Sequence, residues 1–219
     1  MLHSQYPKVL KYKLSNIASK TLLTEELGLS LKYPALYKPR LKIDGNREQT
    51  ISIITMDDPN VIIPGIWGIL PQNYEGSWKT FQKLKTTLHV SKEELFTNTL
   101  YREALMERRC LIIVTGFYMY YLKGAKVKNY LVEKDPLHPF YLAGLYNILE
   151  DGFITCSVIN TETNDELTSM NNLYEFMPLE LPKLLKNHWL NKESTLDEIK
   201  QILSKPYSSR LAVNKIASR

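Results

Sequence analysis

The apolar positions of this chain follow two periods. Short runs rich in β-branched and aromatic residues fill the middle, and a few segments of helical period flank them. Residues 22–31 (LLTEELGLSL) predict a short helix with Gly28 near its end. Residues 49–56 (QTISIITM) predict a strand, Asp57-Asp58-Pro59-Asn60 a turn, and residues 61–70 (VIIPGIWGIL) a second strand broken at Pro64-Gly65. Residues 98–108 predict a helix with Leu100, Ala104 and Leu105 on one face. The run 110–122 (CLIIVTGFYMYYL) reads as strand, and 128–133, 140–149 and 153–159 follow at hairpin spacing with Asp-Pro and Asp-Gly turns between them. Two helices are predicted to close the chain. One covers 179–190 with Pro182 in its first turn. The other covers 195–203, with Ser194 and Asp197 as a capping box and Leu196, Ile199, Ile202 and Leu203 as an apolar stripe. Strands at this spacing suit antiparallel pairing rather than βαβ units, so the expected class is α+β. A curved, mostly antiparallel sheet or barrel-like core with peripheral helices should form a single domain over residues 1–219.

Composition adds little until charge is located. The 219 residues are 44% hydrophobic and 23% charged, which excludes wholesale disorder. No apolar stretch reaches the roughly 20 residues of a membrane span. The start, MLHSQYPKVLKYK, carries no apolar core of a signal peptide. Cys110 and Cys156 lie in apolar runs and read as buried reduced thiols, too few for a disulfide framework or a zinc site, so a cytoplasmic setting is expected. The four histidines lack metal-ligand spacing, so neither metal nor cofactor is expected. The net charge of +5 is concentrated: residues 1–47 hold nine Lys or Arg against three acids, with Tyr6, Tyr12, Tyr33 and Tyr37 interleaved. Cations among aromatic rings suit a phosphate backbone with bases stacked beside it. No glycine-rich phosphate loop and no G-x-S-x-G turn is present.

Six strings in order carry a resemblance. They are Trp67-Gly68-Ile69-Leu70-Pro71, the stretch from Arg109 to Tyr120 containing Gly116-Phe117-Tyr118, and Phe140 to Tyr146 with Ala143-Gly144-Leu145. Ile159-Asn160-Thr161-Glu162-Thr163-Asn164, Phe176-Met177-Pro178-Leu179, and Ser208 to Asn214 complete the set. Together they resemble the SOS response-associated peptidase (SRAP) family, which handles abasic sites in DNA. The resemblance spans essentially the whole chain and implies the family's fold.

It also implies what should be missing. The family's nucleophile is a cysteine exposed by removal of the first methionine. Its amine attacks the aldehyde of an abasic site, and its thiol closes a thiazolidine ring. Position 2 is Leu2, which has no thiol. The family's asparagine corresponds to His89, its phosphate-contacting arginine to Ser91, and its catalytic glutamate to Met119. Its histidine corresponds to Asn171 or, with a shorter loop, to Tyr174. The substrate-strand motif is altered around Lys42. No catalytic position is intact, so the resemblance implies a pseudoenzyme that keeps single-stranded or abasic DNA as partner and has lost cross-linking and self-processing. The expected pocket and DNA-contacting residues are Lys42, Trp67, His89, Ser91, Glu93, Tyr118, Asn160, Asn171 and Tyr174. His89 and Glu93 would share a face, as a new acid–base pair, if that segment were helical. The alternative is a protein that reuses the altered pocket for another ligand or partner.

Overall fold

A computed structural model describes residues 13–204 and 211–216. Its centre is the strand β7 (Arg109–Val114), in which all six residues are buried. A strand apolar on both faces needs a neighbour on each edge and a layer on each side. β7 meets the first need by antiparallel pairing with β4 (Thr50–Thr55) and β10 (Phe140–Ile148). β4 pairs onward with β5 (Val61–Trp67), and β10 with β11 (Ile154–Glu162). β5 and β11 then join in parallel, Thr155 opposite Ile66 and Cys156 opposite Trp67. That last pairing closes a five-stranded barrel, so the expected α+β class with a curved, mostly antiparallel core is what forms.

The period of two sorts the side chains. Ile51, Ile53, Ile63, Trp67, Cys110, Ile112, Leu142, Tyr146, Cys156 and Val158 fill the barrel. Ile54, Ile62, Leu111, Ile113, Ala143, Leu145 and Ile159 face outward into a second apolar layer. Helices cover that layer. They are α4 (Thr99–Glu107) with Tyr101, Ala104 and Leu105, α6 (Lys186–Leu190) with Trp189, and α7 (Leu196–Ser204) with Ile199, Ile202 and Leu203. None of the described helices is long and apolar enough to cross a membrane.

The 110–122 run is two strands, not one. It bends at Thr115, whose backbone N–H donates to the Ser15 carbonyl and whose hydroxyl accepts from Ile17 N–H. β8 (Gly116–Lys123) thereby leaves the barrel and enters a second sheet. Its order is β14 (Leu211–Ile216), β9 (Lys126–Lys134), β8, β1 (Lys13–Asn16), β3 (Arg40–Asp44). Leu14, Phe117, Met119 and Val132 from this sheet join the barrel's own core.

Other expectations need correcting. The helix expected at 22–31 is α1 (Lys20–Leu27), capped by the Ser19 side chain and ended by Gly28 at φ 64°. Ser30–Leu31 instead forms a strand, β2, parallel to β5. Pro64 does not break β5, because its neighbours continue the ladder to β4. The helix expected at 179–190 is extended at first. β12 (Phe176–Pro178) pairs with β11, and β13 (Glu180–Leu181) pairs with β10. The buried Glu180 carboxylate takes the Lys134 ammonium as partner, which holds this stretch against the sheet. Pro182 remains extended and a single 3-10 turn precedes α6. The capping box of α7 is Thr195 with Glu198, not Ser194 with Asp197; Ser194 instead donates its hydroxyl to the His188 carbonyl. In place of a helix through His89 and Glu93 there is a short strand, β6 (His89–Val90), parallel to β11. Glu93 sits exposed at the start of α3 (Glu94–Thr97), so the two residues do not share a helical face.

Candidate functional site

The expected residues fall into two groups. The first is built on β6. His89 Nδ1 lies 2.8 Å from Asn160 Oδ1, and its ring meets the Trp67 indole edge-on at 5.7 Å. Trp67 is fully buried and donates its own N–H to the Leu88 carbonyl at 2.9 Å. It therefore acts by holding His89, not by touching a ligand. Ser91 is a helix cap: its hydroxyl accepts from Glu94 N–H, and Glu94 reaches back to Ser91 N–H. Beside them Lys92 is half-buried, and burial lowers its pKa while the Glu162 carboxylate opposes the shift.

Asn171 lies in the loop after α5 (Asp165–Thr168), 6% exposed. Its Nδ2 donates to Thr163 Oγ1 at 3.3 Å, and among the described residues its buried Oδ1 has no hydrogen-bond partner. An acceptor left alone in this way costs about 1–3 kcal/mol, so the loop holds it in place at some expense. Met119 is 3% exposed and pairs across the sheet with Tyr130. It is core, and its thioether transfers no proton. Leu2 lies outside the described residues, as do Ser208, Ser209 and Arg210 of the last motif.

The second group lies on the other face of β8. Tyr118 and Tyr120 share that face by alternation, opposite to Phe117 and Met119. Tyr118 donates its hydroxyl to the Leu41 carbonyl at 3.0 Å; burial raises its pKa, and the Glu133 charge adds to this. Tyr120 is 2% exposed, and among the described residues its hydroxyl has no hydrogen-bond partner. Burial holds its proton on well above the usual phenol range, and Asp44, Tyr118 and Tyr174 nearby push the same way. Lys13 Nζ lies 5.7 Å over the Tyr120 ring, and Lys13 is the register partner of Asp44 on β3. Exposed Lys42 of the same strand is close enough to lower the Lys13 pKa, second to burial. The 171–174 loop links the groups: Asn172 bonds both backbone groups of Leu122 on β8, while Tyr174 lies near enough to help raise the Tyr120 pKa. Lys42, Tyr118 and Tyr174 are thus brought together as expected residues. Lys13, Asp44 and Tyr120 were not anticipated, although alternation along Gly116-Phe117-Tyr118-Met119-Tyr120 already puts both tyrosines on one face.

Beside this sheet lies a cleft of about 40 Å³ lined by Tyr33, Leu36, Tyr37, Lys38 and Arg40 among others. That is room for a water or two, not for a base. Its rim is more informative. Tyr33 and Leu36 are exposed, Lys32 sits 5.8 Å over the Tyr33 ring, and Arg40 donates to the Thr50 carbonyl. Tyr37 is pinned by bonds to Asn16 and the Ala18 carbonyl, and burial pushes its pKa up to about 12. Among the described residues no three His, Cys, Asp or Glu side chains are grouped to hold a metal.

Comparison with known proteins agrees with this architecture. The family model for SOS response associated peptidase (SRAP) matches residues 13–219. Abasic site processing protein YoaM of Bacillus subtilis is 27% identical over 149 residues, 65% of this chain and 62% of that protein. Abasic site processing protein YoqW of the same species is 27% identical over 149 residues, 65% of this chain and 63% of that protein. The match thus spans less than two thirds of these relatives' length. A Bacteroides thetaiotaomicron crystal structure superposes with a TM-score of 0.82 at 22% identity, covering 94% of this chain and 92% of that one. One from Bordetella bronchiseptica superposes at 0.76 and 14% identity, covering 94% and 100%. A closed barrel with a second sheet carrying the G-F-Y strand, matched over nearly the whole chain, places this protein in the SRAP family.

Proposed function

We propose that this chain binds single-stranded or abasic-site DNA, within the DNA damage response, without the family's thiol-dependent cross-linking and self-processing. The observation that carries the reading is the rim made by Lys32, Tyr33, Lys38 and Arg40 beside Lys42, on a chain whose relatives are abasic site processing proteins. Ammonium and guanidinium groups there meet phosphates, and Tyr33 offers a ring face to a base. The loss of chemistry rests on Leu2, Met119 and Asn171, none of which supplies a thiol, carboxylate or imidazole.

Fluorescence anisotropy with a single strand carrying a tetrahydrofuran abasic analogue tests the binding. Affinity is expected at low salt and should fall as salt rises. The double change Lys32→Ala, Lys38→Ala should reduce the log–log salt slope by about 1.4, at roughly 0.7 per phosphate contact on single strands. Absence of binding at low salt overturns the DNA reading. A denaturant-stable adduct with abasic DNA, formed without any reductant, overturns the loss of cross-linking.

The orphaned Asn171 Oδ1 favours one further reading, in which the altered pocket takes a different ligand bearing a hydrogen-bond donor. Asn171→Leu separates the two. DNA binding through the rim is expected to survive it, whereas a ligand held at Asn171 would be lost.

A further inference from the structure

We propose that Lys13 is an aldehyde-capturing amine, forming a reversible imine with the open-chain sugar of an abasic site held on the adjoining rim. The proposal rests on the DNA reading above and names the reacting group within it.

The geometry is that of a lysine held beside a second cation. Lys13 is half-buried on β1, its Nζ 5.7 Å over the Tyr120 ring, which gives the amine a rigid floor. Lys42 lies against it from β3, while Asp44, its register partner, limits the repulsion. Tyr120 of β8 lies under the amine, Asp44, Tyr118 and Tyr174 act on Tyr120 in turn, and Glu133 of β9 acts on Tyr118. Burial and then Lys42 lower the Lys13 pKa, with Asp44 opposing. A larger fraction of the amine is therefore neutral at pH 7 than for a free lysine. Desolvation and a neighbouring cation are the two established ways of making a lysine nucleophilic.

The reaction balances without a co-reactant. The neutral Nζ adds to the aldehyde carbon, one N–H proton passes to the carbonyl oxygen, and a carbinolamine results. Its hydroxyl leaves as water with the second N–H proton, and the C–N bond becomes C=N. No thiol lies on an adjacent carbon, so no ring closes and hydrolysis reverses the step. This agrees with a chain that has lost the stable cross-link.

The test is incubation with abasic single-stranded DNA and sodium cyanoborohydride, followed by intact mass and peptide mapping. The expected result is one reduced adduct on Lys13, with Lys13→Arg lowering the yield at least tenfold. Lys42→Met should shift the pH of half-maximal trapping upward, toward that of an ordinary lysine. A merely structural role for Lys42 would leave that midpoint in place. Adducts spread over many lysines, or on the α-amine, overturn the proposal. So does binding of the tetrahydrofuran strand with no trapping on abasic DNA, an outcome that leaves the DNA reading intact. If no DNA binds, 2-deoxyribose 5-phosphate with the same reductant decides the matter: selective labelling of Lys13 sustains its reactivity, and its absence overturns it.

Discussion

Arg109 shows how far a single side chain can carry this fold. It is fully buried, yet among the described residues no carboxylate pairs with it. Its guanidinium donates instead to four carbonyls: Trp189 at 2.6 Å, Leu105 at 2.7 Å, Met106 at 3.0 Å and Asn191 at 2.6 Å. Burial lowers its pKa to about 10, which leaves it charged at neutral pH. The fork ties the end of α4 to the end of α6 across the start of β7. Each buried acceptor stripped of its donor costs about 1–3 kcal/mol, so Arg109→Met is expected to lose about 3 kcal/mol or more in urea unfolding. Arg109→Lys should recover only part, since three donors on one nitrogen cannot reach four carbonyls spread around a planar fork. The arginine was visible in the sequence as part of a motif, but its role was not. Nothing local says that a charge within an apolar run will meet carbonyls about eighty residues away. Trp67 and Met119 show the same limit. Motif position marked Trp67 as a pocket candidate and Met119 as the counterpart of a catalytic glutamate, and burial in one apolar core makes both supports.

Elements were legible where their signals were local. The helix expected at 98–108 forms as α4, with Asn98 as cap and Arg108 as its end, and the 128–133, 140–149 and 153–159 strands form within two or three residues of expectation. The failures share a cause. The 179–190 segment has helical composition, but pairing of β13 with β10 and the Glu180–Lys134 pair outweigh propensity. Local chemistry was also misassigned at α7, where the reciprocal cap is Thr195 with Glu198. Thr195 N–H donates to the Glu198 carboxylate at 2.7 Å, and Glu198 N–H to the Thr195 hydroxyl at 3.3 Å. Thr195→Ala is expected to cost about 1 kcal/mol of thermal stability. The bonds from Thr195, backbone first and hydroxyl second, hold the Glu198 carboxyl below its ordinary value of 4.5. A carboxylate with a lowered folded-state pKa stabilises fully above its unfolded value. The gain is lost as pH falls through the folded value. Glu198→Gln should therefore lower Tm above about pH 4.5 and converge on the parent as pH falls below that value, which flattens the acid limb of the Tm-against-pH curve followed by circular dichroism.

The whole molecule depends on barrel closure, which brings β11 beside both β5 and β6 and so sets Asn160 against His89. Closure needs strands to approach closely, and Gly144 marks where. A Cβ there would stand 2.8 Å from the Ser157 carbonyl oxygen on β11, 2.7 Å from Ile112 and 3.0 Å from the Cys110 sulfur. The nearest obstacles at Gly65, also inside the barrel, are side chains only, the Ile53 methyl at 2.8 Å and the Cys156 sulfur at 3.2 Å. A methyl tip can rotate aside, whereas a backbone carbonyl moves only if the strand moves with it. Gly144→Ala is therefore expected to destabilise by about 1–3 kcal/mol in urea unfolding, and Gly65→Ala by less. The two variants also separate stability from function. If closure positions His89, displacing β11 at Gly144 should perturb the His89 ring signals in NMR spectra of the folded protein. Gly65→Ala, absorbed by side chains, should leave them near their parent positions. Equal losses of stability with unchanged His89 signals in both variants would mean that β6 is positioned by the Trp67–Leu88 contact alone, independently of the ring of strands.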